Sequence, residues 1–424
     1  MRPVTPRGFR DVLFAEAAER EAVSSAMSAV FDAWGYGPVE TPVAEEYATL
    51  EAAGVRSLEQ TAFRLFDIDG SLLALRPEMT VPIARLTASR LSATPGPHRF
   101  RYVAPVFREH ASLRGQSRQF TQAGVELVGA SGPAGDAEIV SVLVDALNAA
   151  GLGVYSIVVG TVELLRALIE AAGLSESWGK AVLDAAHERN LVEIDRLSRR
   201  EGVAVQIGEA LRAVPRLRGG AEAIEVAAKH AAACGCAGVL RDIRDTYRIL
   251  ESTGLGDVVT VDFGIMRSFD YYTGLVLEVY APGLGLPLGG GGRYDGVLAG
   301  FGAPAPAAGF ALGLERIMIA LAEQGATPRI RPLDAVIGGA VAEEVFSAAC
   351  ALRAAGWRVR MALAAAGLEL VAEAERADAE EALEVAGDRI YRLDRAGERA
   401  LPLEKPLPAA PTLSWAAARE GGSR

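Results

Sequence analysis

A chain of 424 residues, 50% hydrophobic and 23% charged, has the composition of an ordinary folded protein with room for two or three domains, which excludes a disordered or fibrous chain. The formal net charge of -11 opposes a broad nucleic-acid surface, because phosphate binding draws its affinity from clustered cations. Cys234, Cys236 and Cys350 form no CxxC pair, and His98, His110, His187 and His230 are scattered, so neither a disulfide framework nor a metal site is expected. Residues 1–10 hold no apolar leader, and no stretch supplies the roughly 18 uninterrupted apolar residues of a bilayer span, so a cytoplasmic protein without a membrane is expected.

Val23, Met27, Val30, Phe31 and Trp34 recur at three-to-four-residue spacing and predict a helix from about Glu16 to Trp34, ended by Gly35 and Gly37. The segment FRLFDIDGSLLALR predicts a hairpin with a tight primed turn at Asp69-Gly70. A second strand pair, RFRYVAPVFR and QFTQAGVELVG, follows, joined by a polar loop around Arg114-Gly115. From Asp136 to about Gly254 long helical patterns with glycine-bearing breaks predict an inserted helical region. Strand character returns from Val258 to Tyr280, then a glycine run spans Gly289 to Gly292, and a helix is predicted from near Leu312. Prolines at 328 to 332 mark a linker; beyond it DAVIGGA, a helix to about Ala355 and WRVRMAL predict a small βαβ-like domain, closed from Leu401 by a loosely ordered Pro/Ala-rich tail.

Four stretches carry chemistry. The strand period of two puts Phe120, Gln122, Gly124, Glu126 and Val128 on one face, so an amide and a carboxylate flank a glycine that leaves room for something small. Glu78 and Thr80 in ALRPEMT offer a second polar pair. In MRSFDYYTGLVLEVY, Arg267, Asp270, Tyr271 and Tyr272 precede a strand, joining a planar cation suited to a carboxylate or phosphate with hydroxyls that orient a polar ring. LGGGGRYDGVLAGFG and GFALGLER combine glycines with Arg293 and Arg316; lacking a GK[ST] ending, this is neither a P-loop nor a dinucleotide fingerprint. Each stretch alone is also compatible with a structural polar network.

Together the stretches resemble the class II histidyl-tRNA synthetase family, with PRGFRDVL, Thr41-Pro42, FR…RQFTQAGVE and GFALGLER standing in family order over roughly residues 6 to 130 and 255 to 320. The resemblance implies an α+β fold, an antiparallel sheet flanked by helices, over residues 1–325, with a helical insert at about 136–254 and a small α/β domain over 333–424. It implies a histidine pocket with Glu78, Thr80 and Gln122 around the α-amino group, Glu126 and Tyr272 at the imidazole, Arg267 between the carboxylate and the ATP α-phosphate, and Tyr271 as a further histidine-binding residue. On the ATP side it implies Arg108, Phe120 and Arg316, which we read as vestigial. The family's FRxE acid is replaced by His110, a loop arginine by Gln116, and an arginine-proline pair by Ala111-Ser112. A neutral glutamine cannot do an arginine's work on a triphosphate.

Residues 334–424 hold 15 acidic against 11 basic side chains, the wrong sign for an anticodon-binding domain. The segment VPRLRGGAEAIEVAA resembles one seen in synthetase paralogues that regulate histidine biosynthesis. That resemblance implies a non-catalytic regulatory subunit of ATP phosphoribosyltransferase, with no catalytic residues, no cofactor and no nucleic acid. Its implied partners are a short-form catalytic subunit in a hetero-oligomer, a second copy of the synthetase-like core, and histidine as the feedback ligand. A working histidyl-tRNA synthetase is the alternative, kept open by Arg267, Arg108 and Arg316.

Overall fold

Val23, Met27 and Phe31, four residues apart, are fully buried along one face of the first helix, Phe14–Ala33, in the computed structural model of the chain. The structure describes residues 4–109, 117–265, 271–328, 331–362 and 365–403, in two compact units, Met1–Pro328 and Arg329–Arg424. Gly35, in the left-handed region at φ 82°, turns the chain out of that helix into β1 (Gly37–Pro38). Next come β2 (Ala44–Glu46), β3 (Phe63–Phe66) and β4 (Leu72–Leu75), which pair in the order β2-β4-β3. The β3–β4 hairpin is closed by a longer loop than the tight two-residue turn expected. Asp67 N–H donates to Ser71 O at 3.0 Å, and the side chains of Asp67 and Asp69 accept the N–H groups of Ile68 and Ser71. These carboxylates satisfy loop backbone that a two-residue turn would have left in the ladder.

The main sheet uses β1 with β5 (His98–Phe107), β6 (Gln119–Val128), β7 (Ser156–Thr161), β8 (Arg218–Gly219), β9 (Val259–Asp262), β10 (Leu275–Tyr280), β11 (Gly289–Arg293) and β12 (Ala307–Gly313). Its order is β1-β5-β6-β12-β11-β10-β7-β9-β8, and every pairing from β5 to β7 is antiparallel. Helices Phe14–Ala33, Gly132–Ala149 and Leu314–Glu323 cover one face in a single apolar core with Val125, Leu277 and Phe310. The α+β expectation of an antiparallel sheet flanked by helices thus holds.

Two boundaries differ from the sequence reading. Helix Gly132–Ala149 and β7 belong to this core, β7 pairing with β10 along six residues, so the helical insert begins at Glu163 rather than near Asp136. A short buried strand such as SIVVGT carries too little periodicity to separate it from neighbouring helices. The glycine run, given no element by the sequence, is a strand. A Cβ on Gly291 would sit 2.1 Å from Gly309 O, and one on Gly289 2.2 Å from Ala311 O, so the bare backbone is needed for β11 to lie against β12.

The second unit contains β13 (Leu333–Gly339), β14 (Val359–Met361), β15 (Ala379–Ala386), β16 (Arg389–Leu393) and β17 (Arg399–Pro402), in the order β14-β13-β15-β16-β17. Helices Ala342–Ala354 and Gly367–Arg376 pack on it, with β13–β14 and β13–β15 parallel. The predicted tail lies outside the described residues from 404 onward. No helix among the described residues is long and apolar enough to cross a membrane.

Candidate ligand site around Glu126

Strand β6 carries Glu126 into the sheet interior at 1% exposure, where three hydroxyls converge on it. Thr80 Oγ1 donates to Oε1 at 2.9 Å and the Tyr102 hydroxyl to the same oxygen at 3.2 Å, while the Tyr294 hydroxyl donates to Oε2. Burial pushes the Glu126 carboxyl up to about 8; the charge of Glu78 adds to the rise and the hydroxyl donors oppose it. Glu78 caps the helix Thr80–Leu86, accepting the N–H of Thr80 at 2.7 Å and of Val81 at 2.6 Å. Its carboxyl is also raised, by burial first. Gln122 is buried, and its Oε1 has no hydrogen-bond partner among the described residues, an acceptor with capacity for a ligand N–H.

Aromatic rings cluster near the carboxyl. Tyr271 and Tyr272 lie 4.8 Å apart between centroids, and Tyr294 meets Tyr271 nearly edge-on at 6.0 Å. Burial holds the phenols of Tyr102, Tyr271, Tyr272 and Tyr294 above their ordinary range, so all four stay protonated at neutral pH. Glycines make the room: a Cβ on Gly124 would lie 2.7 Å from the Tyr102 hydroxyl, and one on Gly309 only 1.9 Å from Glu126 Oε2. Gly309→Ala is therefore expected to destabilise unit 1 by about 2 kcal/mol or more through overpacking. Urea unfolding measures this, and a change under about 0.5 kcal/mol would mean that the carboxylate can swing aside.

The predicted residues divide into those brought together and those held elsewhere. Glu78, Thr80, Glu126, Tyr271 and Tyr272 share one region, with Glu78 and Tyr102 both acting on Glu126, and Gln122 lies four residues from Glu126 on the same strand. Arg267 lies outside the described residues, as do His110, Ala111, Ser112 and Gln116. Arg108 donates through Nε to Pro77 O at 2.8 Å, with its guanidinium 5.4 Å from the Phe120 ring centroid. Arg316 donates to Pro287 O at 2.6 Å. Arg293, singled out beside the glycine run, is instead a buried structural cation, bonded at 2.6 and 2.9 Å to Asp136 and at 3.1 Å to Ala130 O.

Sequence reasoning missed Tyr102 and Tyr294, whose hydroxyls complete the carboxylate's shell. A signal was present for Tyr102, which pairs across β5–β6 with Gly124, the bare position that admits its ring. It also missed Arg76, a buried arginine that donates to Thr41 O at 2.6 Å and to Pro105 O at 3.0 Å, pinning the Thr41-Pro42 segment to the sheet. Arg20, on the first helix, pairs with Glu315 of GFALGLER, whose carboxylate also accepts Thr121 N–H at 3.0 Å. Two buried carboxyls, an unfilled amide acceptor and a cluster of tyrosines are the groups that suit a small ligand bearing N–H donors, such as an ammonium group or an imidazole.

Comparison with known proteins identifies the family. The histidyl-tRNA synthetase family matches residues 8–317. An ATP phosphoribosyltransferase regulatory subunit from Symbiobacterium thermophilum is 40% identical over 366 residues, 85% of this chain and 91% of the relative. One from Rubrobacter xylanophilus is 40% identical over 358 residues, 83% of each chain. The crystal structure of an ATP phosphoribosyltransferase regulatory subunit/histidyl-tRNA synthetase from Bacillus halodurans superposes with a TM-score of 0.78 at 30% identity, covering 88% of this chain and 97% of the other. At 21% identity, histidyl-tRNA synthetase from Nostoc shares the fold, with a TM-score of 0.77. The chain belongs to the family of ATP phosphoribosyltransferase regulatory subunits, a non-catalytic branch of the histidyl-tRNA synthetase architecture.

Proposed function

We propose that this regulatory subunit binds free histidine in the chamber around Glu126 and uses that occupancy to control a short-form catalytic ATP phosphoribosyltransferase at the first step of histidine biosynthesis. In this reading the catalytic subunit needs it for activity and is feedback-inhibited through it. The observation that carries the reading is the buried Glu126 carboxyl with Thr80, Tyr102 and Tyr294 on it, with the unfilled Gln122 acceptor on the same strand. Glu78, Thr80 and Gln122 take the α-amino group, Glu126, Tyr271 and Tyr272 the imidazole, and Arg267 the carboxylate. Arg108, Phe120 and Arg316 are vestiges of an ATP side. The arginine–backbone bonds of Arg108 and Arg316 support this, since each spends part of its donor fork on the protein itself.

Feedback requires histidine to prefer one assembly state by about 1 to 3 kcal/mol. The subunit acts in the cytoplasm as a homodimer of cores, and the pinned Thr41-Pro42 segment beside exposed Val43 supports pairing there. The core through residue 325 senses and assembles; the unit from 333 is a separate α/β domain. No nucleic acid takes part, in keeping with the acidic balance of the chain.

Histidine-dependent ATP–pyrophosphate exchange, with a working synthetase as control, tests the non-catalytic half of this reading. No exchange above background is expected, while mixing with a short catalytic subunit should elicit phosphoribosyl transfer that histidine suppresses. Exchange at synthetase-like rates would instead restore tRNA charging as the function.

A further inference from the structure

We propose that unit 1 holds a second small-molecule site, apart from the Glu126 chamber, where the helical insert packs on the end of β9, and that its ligand is a compact zwitterion, a free α-amino acid. The site is a cavity of about 130 Å³ walled by Arg189, Leu191, Ile194, Pro215, Asp262 and Phe263. It is smaller than the roughly 300 Å³ of a drug-sized pocket, which limits the occupant to a few heavy atoms.

Its two charged walls are complementary yet apart. Arg189 follows helix Glu176–His187 at φ 53°, a left-handed conformation that favours glycine or asparagine, and here carries a long cation. Its guanidinium makes no hydrogen bond or ion pair with any described residue. Asp262 is half-buried; Oδ1 accepts Gly264 N–H at 2.7 Å, and no cation of the described residues lies within the 4.0 Å of an ion pair, Arg218 opposite it in the β8–β9 register included. Between the two, insert and core meet closely, since a Cβ on Gly264 would stand 2.5 Å from Pro215 O. A carboxylate on the Arg189 fork, an ammonium on the remaining Asp262 oxygen and a short side chain against Leu191 and Ile194 would satisfy both charges at once.

The amino acids other than histidine, each at millimolar concentration, are screened by thermal unfolding of the full chain carrying Glu126→Gln, which weakens the first site. At least one is expected to raise the unfolding temperature by about 3 °C. That shift should vanish when Arg189→Ala is added and when the same amino acid is supplied as its carboxamide. Arg189 is exposed, so its loss leaves folding intact; Asp262→Asn keeps the acceptor for Gly264 and should also abolish the shift. The proposal is overturned if no amino acid stabilises the Glu126→Gln chain, or if the shift survives Arg189→Ala or the carboxamide. Failure here leaves histidine binding at Glu126 untouched, since calorimetry on the wild-type chain reads that separately.

Discussion

Glu126→Gln lowers histidine affinity about 30-fold or more and flattens its pH dependence, as read by titration calorimetry. Removing one member of a buried, hydrogen-bonded charge pair costs about 2 to 5 kcal/mol, and glutamine keeps the size and one acceptor for Thr80 and Tyr102 while surrendering the charge. The pH profile follows from proton bookkeeping. With the Glu126 carboxyl raised to about 8, the empty site holds a proton that a free imidazole, titrating near about 6.5, lacks in the window between. Bound carboxyl and imidazole share that one proton, so affinity is flat from about pH 6.5 to 8. Below the window one proton must leave on binding, and above it one must be taken up, so affinity falls on both sides.

The same shift has a stability sign. A carboxyl whose folded pKa is raised above its unfolded value makes the folded state bind more protons, so the unliganded protein loses stability as pH rises from about 4.5 to about 8. Thermal melts across that range should show a decline that Glu126→Gln reduces. Unchanged histidine affinity in Glu126→Gln would move the sensor away from this chamber, for instance to the interface with the catalytic subunit.

Arg293→Met destabilises unit 1 by about 3 to 5 kcal/mol, because it leaves Asp136 buried without its cation. The guanidinium also holds Ala130 O at 3.1 Å and Asp295 at 3.2 Å, tying the turn before helix Gly132–Ala149 to the strand that ends at Arg293. Adding Asp136→Leu removes the orphaned charge and should recover part of the loss, a coupling visible in a double-mutant cycle by urea unfolding. A single-variant effect below about 1 kcal/mol would mean that water reaches Asp136 and that Arg293 is not the lock between β11 and that helix.

Legibility tracked the range of the interactions. The burial of Val23, Met27 and Phe31 could be read from spacing, because a helix repeats its inward face every three to four residues whatever it packs on. Gln122 and Glu126 could be set on one strand face for the same reason, and the order of the four motif stretches sufficed for the fold class. Glu126, however, receives its hydroxyls from residues 46, 24 and 168 positions away. Tyr294 stands beside the glycine run next to Arg293, and local sequence does not distinguish the hydroxyl that reaches Glu126 from the cation that the fold spends on Asp136.

The amino-acid sequence by itself therefore determined the architecture and the family, since periodicity and motif order are local properties of the chain. Only the tertiary structure decided which carboxyl is buried among hydroxyls and which arginine is structural. It also decided that four successive glycines form a strand and that β7 belongs to the core rather than the insert. Those outcomes depend on what arrives from distant parts of the chain, because the ionisation of a carboxyl and the partner of a guanidinium are set by the solvent excluded and the groups delivered around them.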